Sequence, residues 1–342
     1  MSAFPWSPAV ATGVGSLPGT SAREAANTVA GELPHFVHVP ELPARGPGSD
    51  AIGRTGALLD AVGGFGLETT PDGWRITPGQ SKVMRRAVSW LNEDLDALEE
   101  FTQGYGGPLK VQIVGPWTFA AAVELASGER LLRDPGACRD LAEALAEALR
   151  LHVMELQRRV PAAALVVQWD EPGLRAVLDG SIGTASGLSR YRAVDEPVAE
   201  ATLRTVLAAA PSDVVSGVHC CAPQPPLALL RRSGARFLSL DLTIPFEDEE
   251  LGAAWEGGLG ILAGCVPSTG VGRIGDTAAS RPIREAASRL GLADERHLAN
   301  VVITPTCGLA GATPAWARTA IAACTAVGRV LRHDHDEVMG DE

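Results

Sequence analysis

The stretch Ala164-Leu165-Val166-Val167-Gln168-Trp169-Asp170-Glu171-Pro172 decides the fold: an apolar, β-branched run stops at an acidic pair and a proline. A short run without polar alternation reads as a strand covered on both faces, the kind found in parallel sheets flanked by helices. Runs of this type recur along the chain, each ending in Gly, Pro, Ser or Asp and each followed by an Ala, Leu and Glu-rich segment of helical period. Eight are found, over residues 11–16, 35–41, 109–114, 164–169, 214–219, 237–242, 260–264 and 301–304. The spacing predicts helices over 22–33 with Ser21 as cap, near 50–62, over 119–125 and 138–160, and over 314–331, where Thr313 caps and Pro314 takes the first helical position. An insertion separates the second unit from the third, with a small hairpin over 67–76 and a long helix over 82–103. Eight βα alternations argue for an α/β protein, and a closed (β/α)8 TIM barrel in a single domain is the simplest arrangement that uses them all. A doubly wound sheet is the runner-up. The barrel is expected over 11–332, between an N-terminal extension of residues 1–10 and a polar tail of 333–342.

Composition narrows the function classes. The 342 residues are 46% hydrophobic and 20% charged, a balance that buries a core. The net charge of 29 − 41 = −12 offers no broad basic surface to nucleic acid or anionic lipid, so an acidic small-molecule enzyme is the better reading. The cysteines at 138, 220, 221, 265, 307 and 324 are too sparse and irregular for a secreted disulfide framework. The start MSAFPWSPAV has no basic segment followed by an apolar run, and no stretch approaches a membrane span. A soluble, cytoplasmic protein is expected.

In a parallel barrel the C-terminal strand ends face the active-site mouth. Ser16, Glu41, Trp117, Asp170 with Glu171, His219 with Cys221, Asp241, Cys265 and Cys307 all fall at or just past such ends. In His219-Cys220-Cys221 the outer two residues point to one side of an extended chain, so imidazole and thiol can grip one ion. Cys307 and the Asp241 carboxylate complete a tetrahedral set of one nitrogen, two sulfurs and one oxygen, which suits zinc. Cys220 alternates to the opposite side and reads as a packed thiol, as do the helical Cys138 and Cys324; Cys265 is ambiguous. Asp170 and Glu171 read either as a helix cap or as carboxylates for an ammonium group or for proton transfer. Trp117 either stacks on a flat ligand or closes the barrel top. Gly13-Val14-Gly15-Ser16 is not a dinucleotide loop, since position 18 is proline where a third glycine is needed.

Taken together, Gly15-Ser16-Leu17-Pro18, Gly115-Pro116-Trp117-Thr118, Gln168-Trp169-Asp170-Glu171-Pro172, His219-Cys220-Cys221 and Pro305-Thr306-Cys307-Gly308-Leu309 resemble the catalytic C-terminal barrel of the cobalamin-independent methionine synthase family. The resemblance runs in order from about residue 11 to 330. It implies a zinc-dependent methyltransferase that moves a methyl group, from 5-methyltetrahydrofolate or a related donor, to the thiol of homocysteine to form methionine. It implies zinc on His219, Cys221, Asp241 and Cys307, although the family's carboxylate ligand is usually the longer Glu. It implies Ser16, Asp170 and Glu41 around the amino acid part of homocysteine, Trp117 beside a pterin, and Glu171 or a water as the acid for the leaving amine. Full-length members carry a second, N-terminal barrel for which 342 residues leave no room, so the likeness is to short single-barrel members. The alternatives are a corrinoid-linked or other thiol methyltransferase on the same barrel, with a corrinoid protein as partner, or a zinc- or thiol-binding barrel without turnover. A uroporphyrinogen decarboxylase-like enzyme, with Arg45 and Arg54 holding propionates, leaves the His and Cys set unexplained.

Overall fold

The structure is a computed structural model that describes residues 4–292 and 295–339. In chain order its elements are β1 (Val10–Ala11), α1 (Ala22–Glu32), β2 (Val37–His38), α2 (Ala51–Val62), the hairpin strands β3 (Gly66–Thr70) and β4 (Gly73–Thr77), α3 (Lys82–Phe101), β5 (Pro108–Val114), α4 (Pro116–Ala122), β6 (Val123–Glu124) and α5 (Pro135–Arg159). There follow β7 (Ala164–Asp170), α6 (Leu174–Leu178), α7 (Glu196–Leu207), β8 (Val215–Cys220), α8 (Leu227–Arg232), β9 (Phe237–Asp241), α9 (Asp248–Glu256), β10 (Gly260–Val266), α10 (Asp276–Leu290), α11 (Glu295–Leu298), β11 (Val301–Pro305) and α12 (Pro314–Met339).

Eight strands form one parallel sheet in the order β1-β11-β10-β9-β8-β7-β5-β2. The strands lie in chain order around the sheet, which removes the doubly wound alternative, whose order reverses at a switch point. Its two end strands meet past their regular parts. Ser16 and Glu41 form a parallel bridge; Glu41 N–H donates to the Gly15 carbonyl at 3.2 Å and Leu17 N–H to the Glu41 carbonyl at 2.8 Å. The sheet therefore curls until its edges touch, a TIM-barrel-like α/β architecture. Local chemistry sets the helix starts: Ser21 accepts from Glu24 N–H, Asp50 from Gly53 N–H and Thr313 from Trp316 N–H. α5 begins at Pro135, three residues before the expected start, because Asp134 caps it through the N–H groups of Gly136 and Ala137. The hairpin and long helix between the second and third units are present as β3, β4 and α3. β6 adds a third strand to the hairpin that two residues were too short to announce.

Alternation along the barrel strands separates two cores. Leu165, Val167 and Trp169 face the surrounding helices, while Val166 points inward with Phe36, Phe237, Leu262 and Val302. The floor of the barrel is closed by the chain's own start. Phe4 stacks on Trp6 with centroids 4.4 Å apart, and Trp6 meets Phe36 at 5.6 Å and the edge of Phe237 at 6.2 Å. Residues 1–10, expected as an extension, thus include a plug; residues 1–3 lie outside the described set. The expected polar tail continues α12 as far as Met339, and 340–342 lie outside the described residues. Among the described residues no helix is long and apolar enough to cross a membrane.

Trp6 is 3% exposed, so Trp6→Ala opens a cavity that the rigid barrel wall cannot collapse into. The expected loss is about 3–5 kcal/mol of unfolding free energy by urea titration. A loss below about 1 kcal/mol contradicts the plug assignment.

Candidate active site and metal centre

Above the apolar floor the strands carry polar side chains inward, and the register brings them to one level. Asp170 on β7 pairs with His219 on β8, and His219 with Ser239 on β9. His219 Nδ1 lies 3.0 Å from Ser239 Oγ and 3.2 Å from the Ser239 carbonyl. A carbonyl only accepts, so Nδ1 carries the proton and Nε2 keeps its lone pair for an electrophile or a metal. Cys221 follows β8 two residues after His219 and therefore shares its side of the extended chain. Cys307 arrives from the turn after β11, with its Sγ 3.2 Å from Cys221 Sγ and 3.9 Å from His219 Nε2. Among the described residues these three form a group of His, Cys, Asp or Glu whose ligand atoms lie within 4.8 Å of one another.

The donor set fits a zinc ion. Tetrahedral bonds of about 2.0–2.3 Å space their ligands roughly 3.5–3.8 Å apart, between the two distances observed. The electrostatics agree. Cys221 donates a hydrogen bond that draws Cys307 well below the ordinary thiol range, helped by His219 and by Gly308 N–H, and Cys221 is pushed up in return. Burial pulls His219 down, but Cys307 and Asp170 together carry it above its usual value, so a metal bound at Nε2 would displace a proton.

Asp241, expected as the fourth ligand, is not brought into this cluster. Its Oδ1 accepts from Thr243 N–H at 2.8 Å and from Thr243 Oγ at 2.6 Å, which ties the short side chain back over its own turn. Burial raises its pKa, with Cys307 adding to the rise, so the carboxyl feels the cluster without joining it. Cys220, Cys265, Cys138 and Cys324 are buried in the apolar core. Burial lifts Cys265 and Cys138 to about 12 and Cys220 to about 11, as for inert core thiols.

Beside the sulfur cluster lies a buried charged group. Glu41 and Asp170 sit past the ends of β2 and β7, on either side of β5, and Lys110 on β5, fully buried, lies near both. Lys110 Nζ donates to the Val14 carbonyl at 2.7 Å. Gln168 holds Asp170 Oδ1 at 2.8 Å. Burial raises Glu41 to about 7, opposed by Arg54 and reinforced by Asp170. Burial lowers Lys110 to about 7, opposed by Asp170 and Glu41. Burial likewise raises Asp170. Two like-charged carboxylates with one lysine between them carry an excess negative charge that suits one further cation.

Ser16 borders the same space. Leu309 N–H donates to its carbonyl at 2.8 Å, and a Cβ at Gly308 would stand 2.2 Å from Ser16 Oγ, so any side chain there would displace the Ser16 hydroxyl. Glu171 takes the capping alternative in place of the acid role, and Trp117 is turned away from the mouth. Glu171 is fully buried, and its carboxylate accepts from Trp117 N–H at 2.9 Å, Thr118 N–H at 2.8 Å and Thr118 Oγ at 2.8 Å. It caps the N-terminus of α4, where the helix dipole favours an anion, and has no oxygen turned to the mouth. Burial raises it to about 7. Trp117 points into the helical layer: its Nε1 donates to the Ala199 carbonyl at 3.2 Å, and its ring lines a flank cavity of about 730 Å³ bordered by α5 and α7. No metal-cluster residue lines that cavity.

The arginines near the second strand are engaged as well. Arg54 pairs with Asp94 and, at 3.6 Å, with Glu41; Arg45 pairs with Asp94 at 2.9 Å. Both guanidinium groups therefore face protein carboxylates, which removes the basis for propionate binding. Lys110 was legible as a lysine inside a buried strand run, a signal that the motif reading passed over. Ser239 and Asp94 had no sequence signal, since their roles arise from strand register and helix packing.

His152 on α5 is fully buried, and burial together with Arg54 lowers its pKa to about 4 from 6.5. A base whose folded pKa is depressed supports folding above 6.5 and loses that support as pH falls towards 4. His152→Leu should remove roughly 3 kcal/mol of the acid sensitivity between those values. Denaturant titrations of both proteins at pH 7 and 4 measure it, and equal slopes with pH contradict it.

Comparison with known proteins gives three results. A family model described as "Cobalamin-independent synthase, Catalytic domain" matches residues 97–329. Among curated proteins no match is found. A solved structure, a B12-independent methionine synthase from Shewanella sp. W3-18-1 in complex with selenomethionine, superposes with a TM-score of 0.61 at 12% identity, covering 96% of this chain and 99% of the other. At that identity the likeness concerns the fold.

Proposed function

The chain belongs to the cobalamin-independent methionine synthase family through its catalytic domain, and from that premise we propose that it methylates the thiol of homocysteine to give methionine at the His219, Cys221 and Cys307 cluster. The observation that carries the reading is the convergence of these three donors with Asp170 and Glu41 at one end of the strands. Ser16 and Glu41 lie outside the residues matched by the family model, so their roles rest on this geometry alone. The architecture fits a (β/α)8 barrel over 11–332 with the hairpin and α3 as an insertion. A corrinoid protein as methyl donor, open from the sequence, has no support in a cobalamin-independent family.

His219, Cys221 and Cys307 would hold zinc, and a bound zinc ion keeps a coordinated thiol in its thiolate form at neutral pH. The rest is done by the chain. Asp170 and Glu41 pair with the substrate ammonium, and the low dielectric around them makes that pairing strong. Lys110 keeps the two carboxylates from repelling each other before substrate arrives. Ser16 and the turn at Gly308 border the substrate carboxylate. Ser239 holds the His219 ring in one tautomer. Glu171 fixes α4 and with it the strand end that bears Asp170, a structural part in place of the acid role expected for it. An acid for the leaving amine of a folate donor would then be a water at the open mouth.

Acceptor competition tests this. With one methyl donor, kcat/KM should fall by about 100-fold from homocysteine to 4-mercaptobutanoate, which lacks only the amino group. Equal use of the two thiols removes the amino-acid reading.

A further inference from the structure

Asp94 lies on α3, in the insertion, well away in sequence from every residue assigned a role above. Its side chain is 1% exposed and receives two guanidinium groups, Arg45 from the turn after β2 and Arg54 from α2. Arg54 in turn lies 3.6 Å from Glu41 through its Nε edge, an ion pair longer than a hydrogen bond. The side chains of Arg54 and Glu41 are only 9% and 10% exposed, so water does little to screen this chain of charges.

Arg54 faces two carboxylates and is drawn to the first. A guanidinium free of Asp94 would close on Glu41 as a two-pronged pair, the strongest geometry open to it, and would neutralise that carboxylate. Asp94 holds the fork on the far side. Glu41 is then kept in place by a loose contact while its charge stays available to the mouth.

We propose that Asp94 and Arg54 are positioning residues, through which the insertion helix keeps Glu41 free to pair with the amino group of the substrate. The inference rests on the reading of Glu41 and Asp170 as ammonium partners. It gives the insertion a part in substrate selection beyond packing.

The test is calorimetric binding, without turnover, of L-methionine and of 4-(methylthio)butanoate, its analogue without the amino group, to the full-length metal-loaded protein. The wild type should prefer methionine by at least about tenfold, the worth of one charge-assisted hydrogen bond. In Asp94→Asn the preference should fall by about tenfold through weaker methionine binding, with the analogue's affinity unchanged. Asp94→Glu should restore most of it. Because removing one partner of a buried pair can unfold a protein, Arg54→Lys serves as the second variant: it keeps the charge, lacks the fork and should lose the preference as well. Thermal melts identify which variants are folded. A folded Asp94→Asn or Arg54→Lys protein with the wild-type preference overturns the proposal. A wild type without any preference removes the ammonium reading itself and the proposal with it.

Discussion

Cys307→Ser should leave a folded protein with little or no zinc and with methyl transfer reduced by at least about a hundredfold. Serine keeps the shape of the side chain but does not ionise near neutral pH, so the turn after β11 loses its anionic donor. Cys307 is the thiol that the structure favours as the anion, through the hydrogen bond from Cys221, through His219 and through Gly308 N–H. Cys221→Ser should behave alike, because the 3.2 Å contact makes the two sulfurs a single unit. Cys220→Ala is the matching control: its thiol is buried in the apolar core, and the variant should keep its metal. Elemental analysis of the purified proteins reads all three. A Cys307→Ser protein that retains one zinc per chain, or a Cys220→Ala protein that loses it, contradicts the ligand assignment.

Asp170→Asn should lower kcat/KM for homocysteine by about 100-fold while leaving the zinc content unchanged. The substitution preserves volume and lets the side-chain oxygen keep its 2.8 Å contact with Gln168. What it removes is the negative charge next to Lys110 and Glu41, and with it the counter-ion for the substrate ammonium. The loss should fall on KM more than on kcat, and 4-mercaptobutanoate should be used as well by the variant as by the wild type. A variant with an unchanged KM for homocysteine contradicts this role for Asp170.

The two predictions differ in how far the sequence supported them. His219 and Cys221 were legible because an extended segment puts alternate residues on one side, a rule that needs no tertiary information. Cys307 was legible as a cysteine just beyond a strand end. Asp241 met the same rule and still stands apart, because whether a short carboxylate reaches inward or turns back to Thr243 depends on a loop conformation that strand spacing does not encode. Glu171 illustrates a similar limit. The capping and acid readings were both open, and the close approach of α4, which packs two backbone N–H groups against its carboxylate, decided for the cap. Trp117 turned to the helices for the same reason, being the second residue of α4 rather than part of a loop at the mouth.

The curled parallel sheet was readable from its buried strands, whose apolar runs are dictated by having neighbours on both faces. Less was readable where the chain makes few regular hydrogen bonds. β1 and β2 have two ladder residues each, yet their extended continuations join the edges of the sheet at Ser16 and Glu41. The plug of Phe4 and Trp6 carried no periodic signal, since a single aromatic pair before the first strand has no spacing to read. Asp94 was hidden for a different reason: in an amphipathic helix, one buried acid among exposed ones is marked only by the arginines that other elements bring to it.

The most direct measurement follows the methyl group itself. Zinc-loaded wild-type protein and the Cys307→Ser variant are incubated with homocysteine and 5-methyltetrahydrofolate carrying an isotopically labelled methyl group, with labelled methylcobalamin in a parallel reaction. Labelled methionine from the folate donor, formed by the wild type and absent from the variant, is the predicted result. Wild-type protein that holds its zinc and yields no labelled methionine from folate, or yields it only from methylcobalamin, would contradict the account.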